Sequence, residues 1–152
     1  MTPYNQIPEF GGSDRIVHDG PVTWNLGQTG LPFADDSIFD YMNSHRHYDA
    51  TFEWMNLEEF MTVQWEVYLK FGAPHEKKAP LSYEEYWTKT VTQRHVDNLI
   101  QLMEKGTVFT ALAIELDKQG KLLDFQEGRH RSMALKQLGI KKIPVWIVKK
   151  RF

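Results

Sequence analysis

Apolar positions change their spacing several times along this chain. From Met1 to Phe33 they follow no period. Half of the glycines (Gly11, Gly12, Gly20, Gly27, Gly30) and four of the seven prolines fall there, and such punctuation predicts an extended arm or loop layer. Tyr4, Phe10, Trp24 and Phe33 are spread through it, so the arm is expected to lie across a surface that buries them. Asp35 to Tyr48 reads as a short helix with Ile38, Phe39, Tyr41 and Met42 on its apolar side. Ala50 to Met55 (ATFEWM) alternates and is rich in β-prone residues, which predicts a strand.

Helical spacing takes over at Asn56. That residue stands where an N-cap belongs, and Glu58 and Glu59 fall in the first turn, where the helix dipole favours acids. Phe60, Val63, Val67 and Leu69 to Phe71 continue an amphipathic helix that closes at Gly72-Ala-Pro74, before a loop over residues 73–81. Ser82 with Glu85 three residues on has capping-box spacing and opens a second helical region that stops at Gly106. Whether residues 82–104 make one helix or two stays open at this level.

The last third alternates between strand and helix. Phe109 to Leu116 (FTALAIEL) predicts a strand, Asp117 to Gly120 a turn, and Lys121 to Gln126 (KLLDFQ) the returning strand of a hairpin. After Gly128, Ser132 to Leu138 predicts a short helix stopped by Gly139. Ile143 to Val148 (IPVWIV) is an apolar run of strand length, followed by a basic tail of Lys149, Lys150 and Arg151. The pattern is that of a single α+β domain, a small mixed sheet with surrounding helices over residues 49–152, preceded by the arm of residues 1–48.

Composition narrows the classes. The chain has 152 residues, 41% hydrophobic and 25% charged, which is globular composition at one-domain length. It has no cysteine, which removes disulfide scaffolds, cysteine zinc sites and thiol nucleophiles. No apolar run reaches the ~18 residues of a membrane span, and no basic-then-apolar leader opens the sequence, so a cytoplasmic protein is expected. The net charge of −2 hides a polarity: residues 1–90 carry a balance of −8 and residues 91–152 one of +6. An anionic partner would be met by the basic half, unless the two halves simply neutralise each other.

The candidate chemistry sits at Glu127-Gly-Arg-His-Arg-Ser132. A glycine turn leads into a helix whose first turn exposes unpaired N–H groups and partial positive charge. Arg129 and Arg131 add planar donor forks that match phosphate, Ser132 adds a hydroxyl, and His130 adds a third potential cation. Glu127 is suited to a metal ion, a ribose hydroxyl or proton transfer. The plainer reading is a solvated helix start, but cations there oppose the dipole unless an anion offsets them.

The run DFQEGRHRSMALKQLGIKKIPVWIV, residues 124–148, resembles the signature of the ParB/sulfiredoxin-like superfamily. That signature is a strand, Asp/Glu-Gly-x-His-Arg, an Ala-rich helix ending in Leu-Gly-Ile, and a strand with Ile-Pro-Val. A looser likeness reaches back through Gly106 and FTALAIEL to Trp54-Met-Asn-Leu-Glu-Glu-Phe60, while residues 1–48 match nothing in it. The resemblance implies different things branch by branch. Sulfiredoxin needs a cysteine where this chain has Arg129, so its redox chemistry is excluded. In partition ParB proteins the motif clamps CTP; His130 and Arg131 fall on its paired arginines, but Met133 replaces the next one, and 152 residues leave no room for the DNA-binding and dimerisation domains. The free serine kinase branch fits the architecture best. It implies ATP or another nucleotide with Mg²⁺, phosphates held by Gly128, Arg129, His130, Arg131 and Ser132, Glu127 in the place of an aspartate, and Glu59 (or Glu58) as a catalytic carboxylate. The plainer role for Glu59 is a helix N-terminal acid.

Two other function classes remain: a non-catalytic module that binds DNA or a protein partner through the same cradle, and a degenerate scaffold whose N-terminal arm carries the function. Ser44-His-Arg-His-Tyr-Asp49 lines up histidines on one side only as a strand and lacks a third ligand, so no metal site is expected there. Trp54, Trp65, Trp87 and Trp146 are read as core or rim packing. Lys141, Lys142, Lys149, Lys150 and Arg151 are read as a solvated edge. Arg131→Ala is expected to abolish nucleotide binding with little effect on stability.

Overall fold

Two apolar runs set the centre of the sheet. Ala111–Ile114 and Ile143–Trp146 are each buried at every position, the signature of strands covered on both faces. In the computed structural model, which describes residues 2–3, 16–29, 48–123 and 128–150, these runs lie in β5 (Val108–Leu116) and β6 (Lys142–Lys150). The two strands are parallel, from Leu112 opposite Val145 to Leu116 opposite Lys149. Helix α4 (Arg129–Gln137) lies between them in the chain, so the last third is a βαβ unit.

Around this unit the sheet is mixed and curls into a half-barrel. Its order is β1 (Thr2–Pro3), β4 (Tyr48–Asn56), β6, β5, β3 (Val22–Thr29), β2 (Ile16–Asp19). β4 runs antiparallel to β6 along its whole length, and β3 runs parallel to β5 with a register irregularity between Asn25 and Thr29. Helices α1 (Leu57–Val67), α2 (Tyr83–Lys89) and α3 (Gln93–Glu104) fill the connection from β4 to β5. Among the described residues no helix is long and apolar enough to cross a membrane.

Local signals behave as read where capping decides the matter. The Asn56 side chain accepts from the Glu58 N–H at 2.9 Å, and Ser82 and Glu85 form the full capping box. The helix begun at Leu57 changes to a wider π turn at Tyr68–Gly72 and a 3₁₀ turn at Ala73–His75. The Tyr68 hydroxyl then clasps the following loop, donating to Glu76 at 3.0 Å and accepting from the Leu81 N–H at 3.0 Å. Residues 82–104 prove to be two helices, separated at residues 90–92.

Other expectations need correction. Residues 16–29 are not arm or loop: β2 and β3 form a hairpin around Gly20-Pro21, with Gly20 at φ +58. The hairpin supplies Val22, Trp24 and Leu26 to the core, and the Trp146 indole N–H donates to the Leu26 carbonyl at 2.7 Å. Tyr48 begins β4, so the helix expected to reach it does not; the rest of that helix, residues 35–47, lies outside the described residues. The returning strand expected from Lys121 is reduced, as far as Leu123, to one bridge between Leu122 and Leu116. β5 pairs with β3 from Val108 to Ala111 on one edge and with β6 from Leu112 to Leu116 on the other, and residues 124–126 of the expected strand lie outside the described residues. Helix α4 starts three residues earlier than expected, at Arg129, and Lys149 and Lys150 belong to β6 and not to a tail. Trp24, Trp87 and Trp146 are core residues and Trp65 is half-buried, whereas Trp54 is 38% exposed.

Candidate functional site

Gly128 is fixed by two independent constraints. Its φ of +95 lies in the left-handed region, which side chains oppose by roughly 1–2 kcal/mol. A Cβ there would stand 2.9 Å from Leu112 Cδ2 and 3.5 Å from Gln64 Nε2, and Leu112 is itself locked in the core. The turn therefore delivers the chain into α4 with a glycine N-cap that contributes no side-chain cap. The intrahelical ladder begins with the Ser132 N–H to the Gly128 carbonyl at 2.7 Å. Ahead of it, first-turn N–H groups and the positive end of the helix dipole meet.

Four successive side chains leave this turn toward four different places. Arg129 Nη1 donates to the Thr90 carbonyl at the α2–α3 break, at a long 3.4 Å. His130 Nε2 accepts from the Thr92 N–H at 3.1 Å, at the N-cap of α3, and its ring meets His95 edge-on at 5.1 Å. Arg131 Nη1 donates to the Thr110 carbonyl of β5 at 2.8 Å. The buried Ser132 hydroxyl donates to Gln64 Oε1 of α1 at 3.0 Å. Burial, then the Arg129 charge and His95, hold the His130 pKa below the usual histidine value. An Nε2 that accepts a hydrogen bond is consistent with the neutral ring. The start of α4 is thus the joint at which α1, β5 and the α2–α3 break are tied together.

Of the sequence-derived carboxylates, Glu58 and Glu59 do not meet this joint. Gln64 meets Ser132 while Glu58 pairs with Lys136 at 3.2 Å, so α1 and α4 lie antiparallel and the start of α1 faces the end of α4. Glu59, exposed on the first turn of α1, stands five residues before Gln64, about 7.5 Å of helix rise from the Gly128 end. Glu127 and Arg151 lie outside the described residues, as does the Ser44-to-His47 stretch of the histidine run. Among the described residues no group of three His, Asp or Glu converges on a metal position. Lys141 and Lys142 are exposed, and Lys149 is opposite Asp49 across the β6–β4 ladder.

A second charged cluster occupies that far end. Asn56, Leu57, Glu58, Lys136, Ile140 and Lys141 line a cavity of about 360 Å³. Glu58 accepts from the Tyr83 hydroxyl at 2.9 Å, and this bond, with Lys136 beside it, lowers the carboxyl pKa. Burial first, and Glu58 second, push the Tyr83 phenol up to about 12.

Sequence reasoning missed Gln64, Thr90, Thr92 and Thr110 as partners of the start of α4. Gln64, the two threonines at the α2–α3 break and Thr110 lie 21 to 68 residues from their partners in α4, and polar residues in helices and breaks carry no local signature of such a role. The fold class is a mixed, curled α+β sheet with four helices, and its candidate site is a glycine turn opening α4. No family model matches the chain, nor does any curated protein or any solved structure.

Proposed function

We propose that the chain is a nucleotide-binding domain of the ParB/sulfiredoxin-like kind, holding the phosphates of ATP or another nucleoside triphosphate at the start of α4. The Gly128 turn carries this reading: a backbone that only glycine fits opens a helix whose first residues are Arg129, His130 and Arg131. Such a helix start favours an anion through its N–H groups and dipole. Arg129, held among the described residues only by a long bond to Thr90 and a loose contact with Tyr86, is the phosphate ligand. Arg131 and Ser132, engaged by Thr110 and Gln64, shape the cradle from behind. Mg²⁺ would arrive on the triphosphate, with the phosphates supplying most of its ligands. Binding ranks ahead of phosphoryl transfer, because Glu59 sits toward the other end of α4 and a phosphotransferase or NTPase would depend on Glu127.

The test is calorimetric titration with ATP, CTP and ADP, each with and without Mg²⁺. Micromolar binding of at least one nucleotide is expected, weakened at least about tenfold in Arg129→Ala with an almost unchanged Tm. Arg131→Ala is now expected to lower the Tm as well, since it removes a 2.8 Å bond to a β5 carbonyl. No binding of any nucleotide at millimolar concentration would overturn the reading.

A further inference from the structure

Tyr86, on α2, is 1% exposed, and among the described residues its buried hydroxyl has no hydrogen-bond partner of good geometry. Buried phenols ordinarily find one, so such a group calls for an explanation. Its ring is held firmly, with the Tyr68 ring at 5.0 Å and the Trp87 ring edge-on at 5.1 Å. The Thr90 hydroxyl, one turn on, donates to the Tyr86 carbonyl at 2.6 Å. Burial raises the Tyr86 pKa, and the Arg129 guanidinium, within loose hydrogen-bonding reach of the phenol oxygen, opposes that rise.

A guanidinium carries five donors and no acceptor; among the described residues Arg129 spends one on the Thr90 carbonyl at 3.4 Å and brings another loosely to the Tyr86 oxygen. Behind it, the first turn of α4 adds backbone donors. Among the described residues donors are therefore in excess at this place, and an acceptor with several oxygens and negative charge would complement them. We propose that Tyr86 is a ligand-binding residue of the α4 site, its hydroxyl donating to a phosphoryl oxygen that Arg129 holds from the other side. This rests on the nucleotide reading above and adds to it a residue from a different helix.

Tyr86→Phe tests it, because that change removes the oxygen and keeps the ring. Wild type and variant are titrated with ATP and, separately, with inorganic phosphate, and the Tm of each ligand-free protein is measured. The expected result is about a tenfold loss of affinity for both ligands, with the ligand-free Tm unchanged or raised because an unsatisfied buried donor is gone. ATP binding by wild type that Tyr86→Phe leaves intact would overturn this proposal and leave the nucleotide reading standing. Wild type that binds neither ATP nor phosphate would end both. A clear fall in the ligand-free Tm would show that the hydroxyl serves the fold and would also overturn the proposal.

Discussion

The two ends of α4 meet the same neighbour, α1, through polar side chains, and the outcomes differ. At the start of α4, Ser132 and Gln64 bond within the core, beside a glycine that no other residue can replace without strain. At its end, Lys136 and Glu58 pair in solvent, with roughly half of each side chain exposed. The buried contact is neutral, short of water and costly to break. The exposed one is charged, screened and worth little. The richer display of charge thus marks the less important end for stability, and the half-buried end with spare donors is the one proposed to hold a ligand.

The largest effect should come from Gly128→Ala. The left-handed backbone and the Leu112 contact together predict a loss of about 2–4 kcal/mol in urea unfolding; an unchanged midpoint would show that the turn relaxes freely. Ser132→Ala comes next, at about 1–3 kcal/mol, since Gln64 loses a buried donor.

Acid should weaken the same end. The folded His130 pKa lies below its ordinary value of 6.5. Above that pH both states are neutral; as pH falls below it, the unfolded chain takes up the proton first, so stability drops until the folded pKa is passed. The protonated ring can no longer accept from Thr92. Comparing unfolding free energies at about pH 7.5 and about pH 5, wild type should lose more than His130→Gln. Equal losses would assign the acid sensitivity elsewhere. Lys136→Ala, at the far end, should cost no more than about 0.5 kcal/mol, and less as salt rises; a larger cost would erase the contrast between the ends.

What could be read from the sequence divides along the same line between local and distant. Asn56, Ser82 with Glu85, and the Gly128 turn announce themselves within four residues, and each appears where expected. The β2–β3 hairpin was hidden by the glycines and prolines around it, although Asp19-Gly20 and the alternation of Val22, Trp24 and Leu26 were present. Thr23 and Asn25 are buried as well, which blurs the polar half of that alternation. Of the strand expected from Lys121 to Gln126, residues 121–123 make one bridge to the end of β5, and residues 124–126 lie outside the described residues. The protein partners of Arg131 and Ser132 were out of reach of local signals. Their residue types suit phosphate, but Thr110 and Gln64, which engage them, come from β5 and α1.

The most direct test of the central claim follows backbone amide resonances of ¹⁵N-labelled protein during titration with ATP and Mg²⁺. The account predicts saturable shifts at Gly128, Arg129, His130 and Arg131, and at Tyr86 and Thr90 beside them, with Asn56, Leu57, Glu58 and Lys141 unmoved. Shifts confined to the Asn56–Lys141 cavity, or none at all, would contradict it.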